Sequence, residues 1–87
     1  MAIGLLWAGP IWAEPPDWCA RWGQVAAVAA ESRQAGIPEA ALRAEADRIG
    51  SDPETRAAFR AIIEAAYARS WSPEQARTRI EAGCRAP

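Results

Sequence analysis

Two cysteines, Cys19 and Cys84, are the residues of this chain best suited to covalent chemistry, and the sequence contains no others. Each lies on the apolar side of a predicted helix. Two free buried cysteines would act only as small hydrophobic side chains. A metal site fails on ligand count, because histidine is absent and two thiolates cannot complete a tetrahedral site. A disulfide between Cys19 and Cys84 would close a long loop and stabilise the fold by about 4 kcal/mol. A fold this small needs such a cross-link, so we expect the two cysteines to form one disulfide.

Other side chains that perform catalysis are missing or poorly placed. Neither histidine nor lysine occurs, which excludes Ser–His and Cys–His pairs and Schiff-base chemistry. Glu45 and Asp47 stand two positions apart on a predicted helix, where side chains do not face each other. Glu31 lies among small residues, and no Cys-x-x-Cys motif is present. We therefore expect a protein that is not an enzyme and uses no cofactor or metal.

The composition indicates one small helical domain with a thin core. The 87 residues carry a net charge of −1, so we expect no binding to nucleic acid or to an anionic membrane. Alanine accounts for 22 residues; it favours helix but contributes little buried area. Large apolar side chains are few after residue 14, and no alternating strand pattern occurs.

Residues 1–13 carry no charge and resemble the apolar part of a signal peptide, with cleavage after Ala13. The segment is too short to span a membrane, which takes about 20 apolar residues. The basic residues that normally precede such a segment are missing. The alternative is an apolar N-terminal tail that packs on the domain. Residues 14–87 are predicted to form the single domain, which we place in the periplasm or outside the cell.

The first helix is predicted over residues 18–35, with Asp17 as its cap and Gly36 as its stop. One face carries the larger side chains, at spacings of three and four: Trp18, Trp22, Val25, Ala29 and Ser32. We expect this face to be the core, with Trp18 and Trp22 over the disulfide. The opposite face carries only small residues, which are Ala20, Gly23, Ala27 and Ala30. Either the second or third helix covers that face, or it receives a helix from another protein.

Three shorter helices follow, each with a recognisable start. The second is predicted over residues 38–49, with Pro38 at its first position, and the third over residues 53–69 after Ser51-Asp52. Ser72 and Gln75 have the spacing of a capping box and begin the fourth. We expect an all-α bundle of four short helices, closed by a Cys19–Cys84 disulfide. The fourth helix then runs antiparallel to the first.

The order of these elements resembles a group of small exported proteobacterial proteins that are all-helical and carry two cysteines. The shared features are Cys19, Arg33 with Gly36, Ile63 with Tyr67, Ser72-Pro73 and Cys84. They extend over residues 18–84, nearly the whole predicted domain. The resemblance implies an exported location and a helical fold, and it implies no activity.

For a small exported helical domain without catalytic groups, we predict an accessory protein that binds another protein. Its partner would be another envelope protein or a second copy of the chain. Two alternatives are a periplasmic stress protein or chaperone, which would bind unfolded clients, and an inhibitor of an envelope enzyme. Trp18, Trp22 and Trp71 could also form a ligand cage, but we expect them to pack in the core. Arg33 is expected to pair with an acid or to cap the end of the first helix.

Overall fold

The computed structural model describes residues 17–86, which form four α-helices and no strand. Helix α1 spans Trp18–Gln34, α2 spans Glu39–Ile49, α3 spans Pro53–Arg69 and α4 spans Pro73–Arg85. The predicted all-α bundle of four short helices is confirmed. The predicted signal segment, residues 1–13, lies outside the described residues.

Side-chain caps begin three of the helices where the sequence predicts them. The Asp17 and Asp52 carboxylates accept hydrogen bonds from the backbone of the third residue after each. Ser72 and Gln75 form a complete capping box at the start of α4. At the other end of α1, Gly36 adopts a φ of 85° and the amides of residues 36 and 37 bond back to the helix. This left-handed turn, which suits glycine, separates α1 from α2.

Helix α1 is the central element of the bundle. It packs along α4 on one side and along α3 on another, whereas α2 packs mainly on α3. The C-terminal end of α4 meets the start of α1 at the disulfide, so the two helices run antiparallel as predicted. At the opposite end of α1, Arg33 donates a hydrogen bond of 2.6 Å to the backbone carbonyl of Trp71, just before α4.

The fully buried residues are mainly alanine, and on α1 this differs from the prediction. The buried apolar residues are Ala26, Ala27, Ala29, Ala30, Ala46, Ile62, Ile63, Ala66 and Ala76. On α1, the face with larger side chains is only partly buried, and Trp18 keeps 59% of its surface exposed. Alanine side chains let helix axes approach closely, so the small faces form the tightest contacts. The expectation that Trp18 is a core residue was wrong.

Helix α4 covers the small-residue face of α1 that we considered as a docking surface. Gly23, Ala27 and Ala30 are buried, and Ala20 is half-buried. A methyl group added at Gly23 would lie only 2.6 Å from Cγ of Glu81, which shows how closely α4 approaches. The face is therefore internal to the bundle. Helix α4 covers it at Gly23, and Ala30 lies in a buried cluster with Ile62 of α3 and Ala76 of α4.

Candidate protein-binding groove

The disulfide joins α1 to α4 near both ends of the described chain. Cys19 and Cys84 are bonded, with their Cα atoms 5.5 Å apart, so the predicted pairing is present. Cys19 is half-buried and Cys84 is exposed, which leaves the bond open to solvent. Structural disulfides persist in oxidising compartments, so the bond suggests a setting outside the cytoplasm. Within residues 17–86, no helix has the length and apolar character needed to cross a membrane.

An ion pair reinforces this end of the bundle. The Arg85 guanidinium lies 2.7 Å from the Asp17 carboxylate, which also caps α1 through the amide of Ala20. These two hydrogen bonds, the one from Arg85 first, lower the pKa of Asp17 below its ordinary value. Because both side chains are about half exposed, the pair contributes little to stability by itself. It orients the junction that the disulfide fixes.

The carboxylates weighed as acid–base groups do not form a shared site. Asp47 pairs with Arg60 of α3, and this hydrogen-bonded guanidinium lowers the pKa of Asp47. Glu45 pairs with Arg48 on its own helix, and Glu31 is exposed on α1. Asp47 is thus a bridge between α2 and α3. Residues 17–86 contain no cluster of three or more potential metal ligands.

A large open groove runs between α1 and α2, with α3 as its floor. Its volume is about 480 Å³. The α1 wall carries Trp18, Arg21, Trp22, Gln24, Val25, Val28 and Ala29; the α2 wall carries Leu42, Glu45, Ala46 and Ile49; the floor carries Thr55, Phe59 and Ile63. The groove exists because α1 and α2 both pack on α3 and barely touch each other.

Apolar side chains dominate this groove and several project into solvent. Trp18 and Val28 on the α1 wall are 59% and 53% exposed, and Ile49 on the α2 wall is 56% exposed. Deeper in the groove, the Trp22 ring meets the Phe59 ring edge-on, with centroids 5.3 Å apart. Exposed apolar side chains that share one concave surface are typical of a binding site for another protein.

Charged groups lie on both rims of the groove. On the α1 rim, the Arg21 guanidinium stacks over the Trp18 ring, 5.4 Å from its centroid, and makes no ion pair with residues 17–86. On the α2 rim, Glu45 is held by Arg48. One rim therefore presents a positive charge, and the other presents a carboxylate that a second cation could share.

The third tryptophan of the domain has a structural role. Trp71 is half-buried against the cluster formed by α1, α3 and α4, and Arg69 and Arg79 lie over its ring. Its carbonyl accepts the hydrogen bond from Arg33, and within residues 17–86 Arg33 forms no ion pair with an acid. This arrangement holds the α3–α4 turn against the end of α1.

Comparison with protein-family models, with curated proteins and with solved structures finds no match to this chain.

Sequence reasoning found the groove residues of α1 but placed all of them in the core. Trp22 and Val25 are partly buried and do pack against the core cluster, whereas Trp18 is exposed. The spacing of Trp18, Trp22 and Val25 correctly groups them on one face of α1. That spacing cannot tell a buried face from a groove wall, because both need the same apolar stripe. A signal was present in α1 itself. Its opposite face is made of alanine and glycine, which pack well only against another helix.

Proposed function

We propose that this chain is an exported, non-enzymatic accessory protein, located in the periplasm or secreted, that binds another protein. The disulfide and the uncharged residues 1–13 support export. The resemblance of residues 18–84 to small exported two-cysteine proteins supports the same location. Nothing in this proposal depends on a catalytic group.

The observation that carries the binding proposal is the apolar groove of α1, α2 and α3. Trp18, Val28 and Ile49 expose more than half of their surface around it, although the chain has few large apolar residues to stabilise its core. Burying such side chains against a partner yields roughly 25 cal/mol for each Å² removed from water. An apolar groove between helices can accept the apolar face of another helix, so we propose that this groove receives a helical surface.

Export is tested separately from binding. Expressed in a Gram-negative cell behind its natural start, the chain should appear in the envelope or medium with Glu14 as its first residue. Intact mass after fractionation measures this directly. Full-length protein confined to the cytoplasm would refute export and would leave the binding proposal to be judged by its own test.

Binding is tested with two matched variants of the oxidised protein. Val28→Arg places a charge in the groove, whereas Ile37→Arg places the same charge on an exposed apolar residue outside it; Ile37 is 42% exposed. Proteins captured from an envelope extract would be purified and titrated against the wild type and both variants. We expect Val28→Arg to abolish binding and Ile37→Arg to retain it. Equal binding by both variants would contradict the proposal.

A further inference from the structure

The two walls of the groove are complementary to each other, and this identifies a partner. Helices α1 and α2 run in opposite directions, since Trp22 of α1 meets Phe59 while Asp47 of α2 pairs with the adjacent Arg60. Residues near the start of α1 therefore lie at the same level as residues near the end of α2. Trp18 and Arg21 line the α1 wall, and Ile49 and Glu45 line the α2 wall. The opposite directions of the two helices place these two pairs at similar levels along the groove.

We propose that the groove binds a second copy of this chain, so that two grooves close face to face about a two-fold axis. This inference rests on the proposed function, because it names the partner of the same groove. A two-fold axis along the groove lays α1 of one copy over α2 of the other. Each Arg21 then meets the partner's Glu45, and each Trp18 meets the partner's Ile49. Both contacts occur twice in the dimer.

Charge complementarity favours a second copy as the occupant. Arg21 makes no ion pair with residues 17–86, and its guanidinium lies over the Trp18 ring, beside the apolar surface. Glu45 is oriented by Arg48 and keeps an exposed carboxylate. A partner's Arg21 adds a second cation to that carboxylate. Polar pairs around an apolar centre are the usual composition of a protein interface.

The exposed apolar side chains are placed as a self-complementary interface requires. In such an interface the same patch must supply both the projecting groups and the space that receives them. Trp18 and Ile49 project at one end of the groove, and the open volume of about 480 Å³ lies between the walls. Neither a residue of α4 nor either cysteine lines the groove, so they do not obstruct the approach.

Charge reversal tests this arrangement on the full oxidised chain. Sedimentation velocity over a range of concentrations should show a monomer–dimer equilibrium. Arg21→Glu and Glu45→Arg should each weaken dimerisation by about 10-fold or more, because each change replaces two attractive contacts with two repulsive ones. The double variant should recover most of the wild-type affinity, since it exchanges the charges across the interface. Glu31→Arg is the matched control, because it reverses an exposed acid of α1 outside the groove and should leave the dimer unchanged.

A chain that stays monomeric at all concentrations would overturn the inference. It would also be overturned if Arg21→Glu and Glu45→Arg left the dissociation constant of the dimer unchanged. A double variant no better than either single variant would also overturn it, since the specific pairing would then be absent. These outcomes are distinct from failure of the proposed function. A monomeric chain whose binding to a different protein is abolished by Val28→Arg would keep the function and lose only the second-copy assignment.

Discussion

The disulfide should supply a large part of the stability of this domain, because it closes nearly the whole described chain. Cys19 and Cys84 are 65 residues apart. In the chain-entropy model a closed loop of that length destabilises the unfolded state by about 4 kcal/mol. A domain of this size has a total stability of roughly 4–10 kcal/mol. Replacing both cysteines by serine should therefore lower the melting temperature by at least about 15 °C.

Thermal denaturation followed by circular dichroism, with and without reductant, measures this effect. Cys84 is exposed, so a reductant can reach the bond in the folded protein. The reduced wild type should consequently have the same melting temperature as the Cys19→Ser/Cys84→Ser variant, and reductant should not change the melting temperature of that variant. Non-reducing mass spectrometry of a digest should show the Cys19–Cys84 cross-linked peptide. A variant that melts within a few degrees of the oxidised wild type would refute the reasoning, because the core alone would then suffice.

Three further changes address the contacts that join the helices. The arginine partners of Asp17 and Asp47 lower the pKa of each carboxylate. These pairs therefore stabilise the fold fully at pH values above the unfolded pKa of about 3.9, and the stabilisation is lost as the pH falls below that value. The urea midpoint should decrease between pH 6 and pH 2, and it should decrease less steeply for Asp47→Asn. Arg33→Gln removes the donor to the Trp71 carbonyl and should cost about 1–3 kcal/mol in urea denaturation; an unchanged midpoint would contradict this role. Ser72→Ala removes the α4 cap and should cost about 1 kcal/mol, seen as a lower melting temperature with retained helix content in the cold.

Helix positions were predictable because their signals are local. Caps such as Asp17 and Ser72, and the left-handed turn at Gly36, depend on side chains within a few residues of each boundary. The predicted limits of α1, α2 and α3 agree with the structure to within one residue. The antiparallel placement of α4 followed from the cysteine pair, which fixes two distant points of the chain together. These inferences needed no knowledge of how side chains pack.

The packing of faces was not predictable because alanine gives a weak signal. An alanine face is almost neutral in hydrophobicity, so the stripe of Trp18, Trp22 and Val25 looked like the core. In the structure the buried apolar residues of α1 are alanines, which pack on Ile62 and Ile63 of α3 and on Ala76 of α4, while Trp22 and Val25 border that cluster and Trp18 is exposed. Asp47 shows the same limit. Its pairing with Arg60 depends on where α3 lies, which the sequence of α2 does not show.

Neighbouring positions on α1 test this assignment of faces most directly. Ala27 is 5% exposed and lies in the bundle, whereas the next residue, Val28, is 53% exposed on the groove rim. Arginine at position 27 would bring an unpaired charge and a long side chain into close-packed space, at a cost of several kcal/mol. That cost is comparable with the whole stability of the domain.

We therefore expect Ala27→Arg to be unfolded by circular dichroism at 25 °C, and Val28→Arg to keep the helix content and melting temperature of the wild type. The two variants carry the same added charge on the same helix, so net charge cannot explain a difference between them. Their helix propensities differ by less than about 1 kcal/mol, which is too little to unfold the domain. A folded Ala27→Arg would mean that α4 does not cover the small-residue face. An unfolded Val28→Arg would mean that the groove is closed in the isolated chain. Each outcome would overturn the packing on which the binding site depends.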